Sequence, residues 1–529
     1  METNPILLEV FKNRFSAIAE EMGMALIRTA FSPNIKERRD LSCAIFDAAG
    51  DMVAQAAHIP VHLGSMPLSV KAAIAECPME PGDMVMLNDP YKGGTHLPDI
   101  TLVAPVFANN TETPAFYVAN RAHHADVGGM SPGSLPLSTS LFQEGIIIPP
   151  VRIVKHGTID TDLMRFFLDN VRTPNERQGD FSAQVMANTT GVARTAALLE
   201  KYGRETVQFY AARLIDYAET MTRQAISALP NGTYTFEDVL DDDGQGATDI
   251  PIRLRMHIAA DEVTLDFTDS GDQVRGSVNA VKAITLSAVL YVFRCLVDAD
   301  IPTNAGIMRP LTVQTRPGSL VDATFPAAVA CGNVETSQRL VDVILGALST
   351  AAPTRIPAAS QGTMNNVIIG GIDTRPGKKV PFSYYETIGG GMGASAHSSG
   401  ASAVHSHMTN TLNTPVEALE YAYPFRVTRV SVRPDSGGTG KNPGGDGMIR
   451  EIELLDDAEI TVQSERRIHG AYGLAGGQAG KPGRNRLVQQ GTPKEMPGKF
   501  HVLARKGDRL CLETPGGGGW GTLEPGEKA

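Results

Sequence analysis

The chain has 529 residues, too many for one ordinary hydrophobic core, so roughly two to four domains are expected. Its composition, 42% hydrophobic and 20% charged, is that of an ordinary globular protein. The net charge of −11 argues against a broad nucleic-acid surface. No apolar run reaches the ~18 residues of a membrane span. The N-terminus lacks the basic-then-apolar order of a signal peptide, so a cytoplasmic location is expected.

The five cysteines are scattered along the chain, and none belongs to a CxxC pair. This pattern argues against a disulfide framework and against a cysteine-based zinc site. Each cysteine is more typical of a small buried apolar residue than of a nucleophile.

The first 120 residues predict one helix followed by several strands. Apolar residues recur with helical spacing over residues 5–30, and Pro33 closes that helix. Residues 41–55 alternate around a turn at Gly50 and Asp51, which predicts a β-hairpin. Further buried strands are predicted at residues 85–87, 100–107 and 116–119.

The remaining chain predicts a helical middle and a β-rich end. Residues 161–229 have helical spacing with a break at Gly203, and short strands alternate with Gly and Pro turns from about residue 425. Between them, strands are predicted at 252–257 and 263–267, and helices at 281–299 and 334–348. The predicted fold class is α+β. The predicted domains are 1–240 with the candidate site, 241–380, and a Gly-rich, β-rich 381–529.

The segment Asn88–Asp99 combines rigid turns with two residue types that bind metals. It reads NDPYKGGTHLPD, in which Pro90 and Pro98 restrict the backbone while the two glycines permit a sharp turn. A neutral imidazole at His96 and a carboxylate at Asp99 suit a divalent cation such as zinc or manganese. Two ligands do not define a site, and a surface loop with a solvated histidine fits the spacing at least as well.

The segment Arg121–Gly129, RAHHADVGG, follows a predicted buried strand and adds two adjacent histidines. On an extended backbone His123 and His124 point to opposite sides, so only one of them faces a site shared with His96. Asp126 would orient a histidine by holding its tautomer. A structural histidine pair, hydrogen-bonded by Asp126, is the alternative interpretation.

Four long motifs resemble the hydantoinase B family: Asn88–Asp99, His123–Ser134 (HHADVGGMSPGS), Asn170–Asp180 (NVRTPNERQGD) and His405–Glu417 (HSHMTNTLNTPVE). The resemblance runs from the N-terminal helix to the GGGGWG segment Gly516–Gly521, which is essentially the whole chain. This family comprises the B-type components of ATP-dependent hydantoinases and 5-oxoprolinases. Its relatives include components of acetone and acetophenone carboxylases and of caprolactamase.

The resemblance implies a heteromeric complex with two kinds of subunit. ATP and magnesium bind to an A-type subunit, which phosphorylates a cyclic amide, and the B-type subunit completes the hydrolysis with metal-activated water. Matched residue by residue, the ligands of one zinc or manganese ion fall on Asp40, His96, Asp99 and His123. Asp40 alone, just before a predicted strand, is typical of a surface acid. The family pattern favours His123 over His124 as the ligand.

Other polar residues are candidates for supporting roles. Glu144, downstream of the His123 motif, is a candidate general base or a partner of a ligand, and Asp126 is a candidate partner of a histidine. For several more, a structural role is at least as typical as a functional one: Lys92 and Arg121 as phosphate contacts, His405 and His407 as further ligands, and His58 and His62 beside Pro60.

The chain lacks the GxxxxGK[ST] loop that cradles nucleotide phosphates. The nearest segment, Gly437–Lys441 (GGTGK), is followed by Asn442 and Pro443, so a Gly-rich turn is predicted there. This is consistent with ATP being bound by a partner subunit. Two alternatives to a hydrolase subunit remain: a subunit of a ketone carboxylase, and a non-catalytic partner that keeps the fold.

Overall fold

The computed structural model describes residues 2–108, 111–297 and 300–523. Within these ranges the chain forms nine α-helices and four β-sheets, which confirms the predicted α+β class. None of the helices in these ranges is long and apolar enough to cross a membrane. The helices are α1 Pro5–Thr29, α2 Pro33–Lys36, α3 Met66–Glu76, α4 Thr161–Leu168, α5 Pro174–Tyr202, α6 Arg204–Ser227, α7 Lys282–Leu296, α8 Ser337–Ala351 and α9 Val416–Ala422.

The strands, in chain order, are β1 Leu41–Asp47, β2 Met52–Gln55, β3 Met84–Leu87, β4 Asp99–Phe107, β5 Pro114–His123, β6 Val151–Lys155, β7 Thr158–Ile159, β8 Gly232–Asp242, β9 Thr248–Ala259, β10 Glu262–Asp266, β11 Leu311–Gln314, β12 Asn366–Asp373, β13 Val380–Glu386, β14 Phe425–Arg433, β15 Gly447–Leu454, β16 Ala458–Gln463, β17 Arg484–Gln489, β18 Thr492–Met496, β19 Lys499–Ala504 and β20 Arg509–Glu513.

The first sheet carries the candidate site. It has the order β2-β1-β5-β4-β3-β6-β7, and its paired neighbours are antiparallel. The helices α1 and α5 pack against one face, and α3 packs against the other. The predicted N-terminal helix, the hairpin β1–β2 and the three further strands are confirmed. Both faces are covered, so the strands are apolar along almost their whole length.

The helical middle is confirmed as α4 to α6, with Gly203 between α5 and α6. A second sheet follows, in the order β11-β10-β9-β8. Helix α7 ends at Leu296, so it is shorter than predicted, and residues 298 and 299 of the predicted helix lie outside the described residues. The next predicted helix begins as a π-helical turn, Gly332–Thr336, which leads into α8.

The β-rich C-terminal region is confirmed, and it contains two further sheets that pack face to face. Their orders are β13-β12-β16-β19 and β14-β15-β20-β17-β18. Apolar side chains from both sheets, among them Ile369, Phe425 and Leu510, fill the space between them. The strands β12 and β16 pair although they lie on opposite sides of the predicted boundary between residues 380 and 381. The division into three domains therefore stays a prediction.

The Gly clusters near the C-terminus form a bundle of closely packed extended segments. The Gly517 amide donates to the Gly445 carbonyl at 2.9 Å, and the Gly438 amide donates to the Gly517 carbonyl at 2.8 Å. A Cβ atom on Gly517 would lie only 2.0 Å from the Met392 carbonyl oxygen, so only glycine permits this approach. Gly437–Lys441 belongs to this bundle as one of its extended segments, where the Lys441 amide donates to the Gly521 carbonyl at 3.0 Å, so the turn predicted there is not formed.

Replacement of Gly517 by alanine should lower the free energy of unfolding by about 3 kcal/mol or more, because the added methyl group meets backbone that cannot move aside. Gly491→Ala is the matched control. Its Cβ would have no neighbour within 4 Å, and its φ of 81° costs only about 1 kcal/mol. Chemical denaturation of both variants tests this, and equal losses of stability would contradict it.

Candidate metal centre

Strand pairing brings the two ligand-bearing motifs together. Asp99 is the first residue of β4 and His123 is the last residue of β5, and the two are direct partners in the antiparallel register. Directly paired residues on antiparallel strands point to the same face of the sheet, so their side chains meet. The His123 Nδ1 atom lies 3.1 Å from the Asp99 Oδ1 atom.

The two carboxylate oxygens of Asp99 have different partners. Oδ2 accepts a hydrogen bond from the Thr95 hydroxyl at 2.7 Å and lies 3.2 Å from His62 Nε2. Oδ1 faces His96 Nε2 and His123 Nδ1, each at 3.1 Å. Burial alone would raise the pKa of Asp99, but the imidazoles of His96, His62 and His123 hold it well below its usual value. Asp99 is therefore ionised, with one oxygen anchored and the other directed at two imidazoles.

A backbone carbonyl orients the imidazole of His96. Its Nδ1 atom lies 3.0 Å from the Ala330 carbonyl oxygen, which can only accept, so the proton is on Nδ1. In the neutral ring the Nε2 atom then carries the lone pair. This atom faces the Asp99 carboxylate, which raises the pKa of His96 against the effect of burial, and it lies 3.0 Å from the Asn333 amide nitrogen. A carbonyl that fixes the tautomer of a histidine in this way is usual behind metal ligands.

His123 and His124 point to opposite sides of the backbone, as the sequence predicts. The ring of His123 stacks on Tyr385 at 4.5 Å and faces the cluster. His124 instead packs on Phe181 and lies 2.9 Å from the Gln184 side-chain oxygen, which belongs to α5. Only His123 therefore lies beside Asp99.

The side chains of His96, Asp99 and His123 fit a divalent cation. Each offers one ligand atom, and these atoms lie within 4.8 Å of one another in a fully buried environment. Two imidazoles and one carboxylate are a donor set that zinc and manganese accept. The Nε2 atom of His123 is also buried and has no hydrogen-bond partner among the described residues. Burying polar atoms without a hydrogen-bond partner costs folding free energy, and a bound cation would remove this cost.

Asp40 borders the same cavity but lies outside this three-residue cluster. Its backbone oxygen accepts from the His123 amide at 3.1 Å, and its carboxylate lies 3.8 Å from the Arg38 guanidinium. The free space in the cavity is about 10 Å³, enough for roughly one water molecule. A larger ligand would displace flexible lining residues, of which Met364 and Met408 are the most adaptable.

Glu144 lies behind the cluster and is connected to it through one residue, Ala330. Its Oε1 atom accepts from the Ala330 amide at 3.0 Å, the Val329 amide at 2.9 Å and the Ser138 hydroxyl at 2.7 Å. The carbonyl of the same Ala330 residue accepts from His96. Burial raises the pKa of Glu144 to about 7, although these hydrogen bonds oppose the shift. These contacts connect the Glu144 carboxyl to the His96 imidazole through the backbone of Ala330.

Asp126 organises a loop. Its oxygens accept from the amides of Gly128, Gly133 and Arg172, and the Arg172 guanidinium adds an ion pair at 3.1 Å. No hydrogen bond among the described residues joins it to a histidine. The predicted pairing of Asp126 with a histidine is therefore not formed, because the loop turns the carboxylate toward Arg172.

The other polar candidates are mostly tied into the fold. Lys92 pairs with Glu76 at the surface, and His407 lies 3.9 Å from the buried Asp342. Arg121 is fully buried and donates to the hydroxyls of Ser65, Ser69 and Thr101. Burial lowers its pKa to about 10, and the charge of Asp99 opposes the shift.

Asn333 and Tyr385 contact the cluster without a signal in the sequence: Asn333 approaches His96, and Tyr385 covers His123. Asn333 lies in the π-helical turn before α8, a type of distortion that often occurs at functional sites. His62, a candidate in the sequence beside Pro60, lies 3.2 Å from Asp99, and Thr95 of the Asn88–Asp99 segment donates to the same carboxylate.

A mixed α+β fold with a buried cluster of two histidines and one aspartate defines this chain as a candidate metalloprotein. A model of the Hydantoinase B/oxoprolinase family matches residues 4–523, and the chain belongs to that family. The resemblance carried by the sequence motifs is thereby confirmed.

Two relatives and two solved structures extend this result. 5-Oxoprolinase 1 of Arabidopsis thaliana is 39% identical over 98% of this chain, which spans only 42% of that protein. A protein of a Pseudomonas species, named as the B-type component of a D-/L-hydantoinase, is 30% identical over 98% of this chain and 90% of its own.

The crystal structure of ATP-dependent caprolactamase from Pseudomonas jessenii has a TM-score of 0.91 at 28% identity, covering 99% of this chain and 92% of that one. Nucleotide-free acetone carboxylase also reaches 0.91, at 18% identity, covering 98% of this chain and 76% of that one, which shows a shared fold alone.

The buried carboxyl of Glu144 should make stability depend on pH. Its proton leaves near pH 4.5 in the unfolded chain and near pH 7 in the folded one, so the folded state binds the extra proton between these values. The contribution of Glu144 to the free energy of unfolding therefore falls as the pH rises through this window, by about 3 kcal/mol. Glu144→Gln should make the fall smaller by this amount, as measured by denaturation at pH 4.5, 6 and 8, while the buried Glu335, whose pKa burial raises to about 8, keeps its own contribution.

The exposed Glu205→Gln substitution is the control, and its stability should follow the wild-type pH dependence. If the Glu144→Gln profile also parallels the wild-type profile, Glu144 does not hold an extra proton in the folded state.

Proposed function

We propose that this chain is the metal-binding, B-type subunit of an ATP-dependent cyclic amidohydrolase of the 5-oxoprolinase or hydantoinase type. In this proposal ATP and magnesium bind to an A-type partner, which phosphorylates the amide, and this chain completes the hydrolysis. The observation that carries it is the buried cluster of His96, Asp99 and His123, formed by motifs of the Hydantoinase B/oxoprolinase family.

The named relatives support a hydrolase. 5-Oxoprolinases from a plant and from yeast are 39% and 40% identical over nearly the whole chain, and the relative named as a hydantoinase component is 30% identical. This chain spans about two fifths of those 5-oxoprolinases. The remaining part of those proteins would then correspond to the ATP-dependent partner. Acetone carboxylase shares the fold at only 18% identity, which gives less support to a carboxylase.

In this proposal His96, Asp99 and His123 hold one zinc or manganese ion, with Asp40 as a fourth ligand beside His123. The bound ion would lower the pKa of water toward neutrality and polarise the activated amide. The chain's own residues perform the positioning. Ala330 and Glu144 hold His96 with its Nε2 lone pair toward the site, and Tyr385 fixes the ring plane of His123.

A coexpression experiment tests the reaction class. The chain is purified with its A-type partner, encoded by a neighbouring gene, and ATP consumption is measured with 5-oxoproline, hydantoins, lactams and ketones. We expect ATP consumption coupled to opening of a cyclic amide. Turnover that requires bicarbonate and a ketone would indicate a carboxylase instead, and no turnover with any substrate would favour a non-catalytic partner.

Substitution of the ligands tests the site. His96→Ala and Asp99→Asn should abolish stoichiometric metal binding, measured by elemental analysis of the purified chain. They should also lower the ATP-coupled rate by more than the ~10- to 100-fold that is typical when only an outer partner of a ligand is lost. The exposed His397→Ala is the matched control and should keep both properties. Full metal content and full activity in both ligand variants would contradict the assigned site.

A further inference from the structure

A chain of three threonine hydroxyls lines the cavity that contains Asp99 and His123. The Thr387 Oγ1 atom lies 2.8 Å from that of Thr411, which in turn lies 3.3 Å from that of Thr409. Thr387 follows strand β13, and the other two threonines belong to the segment that precedes α9. Two distant parts of the chain thus form one polar wall.

This hydroxyl chain begins at a buried guanidinium. Arg38 is fully buried, and its Nη2 atom donates to Thr387 at 2.9 Å. Its other donor contacts are the Asn34 side chain and the Tyr385 carbonyl, and its Nε atom has no partner among the described residues. The only carboxylate that the described part of the structure pairs with this charge is Asp40, at 3.8 Å.

The chemistry of the groups gives the chain a direction. A guanidinium can only donate, so Thr387 accepts from Arg38 and keeps its own proton. An anion in the cavity would favour the arrangement in which Thr387 donates to Thr411 and Thr411 donates to Thr409, because only then does the Thr409 hydroxyl point its proton at the anion. In this arrangement the described residues provide no acceptor for the Thr409 hydroxyl, so this group can donate to a ligand in the cavity. Hydrogen bonds arranged in this way polarise one another, so the last hydroxyl becomes a stronger donor.

The charges around the cavity also favour an anion. Two buried arginines, Arg38 and Arg121, lie near two buried carboxylates, Asp40 and Asp99. The charges of these four side chains sum to zero, and the nearby buried Glu335, whose pKa is raised to about 8 by burial, adds little negative charge at neutral pH. A divalent cation held by the histidine cluster would therefore leave the region positive, and such a region attracts an anionic ligand.

We propose that Thr387, Thr411 and Thr409, polarised by Arg38, form a subsite for an anionic oxygen of the substrate. The identity of that oxygen rests on the proposed function. It belongs either to a carboxylate carried by the cyclic amide, as in 5-oxoproline, or to the phosphoryl group of the activated amide. Thr409 contacts the oxygen directly, and Arg38 acts through the hydroxyls as a positioning residue.

Calorimetric titration of the metal-loaded full chain tests this subsite. The probes are 5-oxoproline, its uncharged carboxamide and inorganic phosphate. Thr409→Val and Thr411→Val should weaken the binding of the anionic probe by about 10-fold or more, because each removes a link to a charge-assisted hydrogen bond. Thr409→Ser keeps the hydroxyl and should bind like the wild type. Thr222→Val removes a buried hydroxyl from α6 and should also bind like the wild type.

The outcomes separate the two sources of the oxygen. A loss of 5-oxoproline binding, with carboxamide binding unchanged, would identify a ring carboxylate, whereas a loss of phosphate binding would identify the phosphoryl group. The proposal is overturned if the valine variants bind both anions like the wild type, if Thr409→Ser behaves like Thr409→Val, or if the wild type binds neither anion. Metal content and ring-opening activity of the wild type test the proposed function separately.

Discussion

The pairing of Asp99 with His123 across β4 and β5 is the constraint on which the candidate site depends. A shift of one residue in this register would turn one of the two side chains to the opposite face of the sheet. Helices pack against both faces, so such a shift would also disrupt the packing of the apolar side chains along each strand. The burial of the whole sheet therefore fixes the position of two ligand atoms, and the site needs no special local stabilisation for them.

The remaining partners come from elements far along the chain. The Ala330 carbonyl sets the tautomer of His96, Asn333 approaches the same ring from the π-helical turn, and Tyr385 covers His123 from β13. The cavity thus lies where the first sheet meets the C-terminal sheets. Loss of packing in the Gly-rich bundle or in the β-sandwich would therefore be transmitted to the ligands.

Periodicity in the sequence predicts most of the N-terminal architecture, because α1, the β1–β2 hairpin and β4 have regular apolar spacing. The opposite orientation of His123 and His124 also follows from an extended backbone. Contacts between segments that are distant in the sequence cannot be predicted from periodicity or from local backbone geometry. Nothing near Asn333 or Thr409 in the sequence indicates that they line the same cavity as Asp99. Asp126 shows the converse error: proximity in sequence to His123 suggested a pairing, but Arg172 and two glycine amides take up its carboxylate.

Anomalous diffraction from crystals grown with zinc or manganese would locate the bound ion directly. We predict one strong peak among His96, Asp99 and His123, about 2.0–2.2 Å from a histidine nitrogen and from the Asp99 carboxylate. We also predict that His124 lies away from the peak, against Gln184. A fully occupied peak elsewhere in the chain, with His96, Asp99 and His123 hydrogen-bonded only to one another, would contradict this assignment.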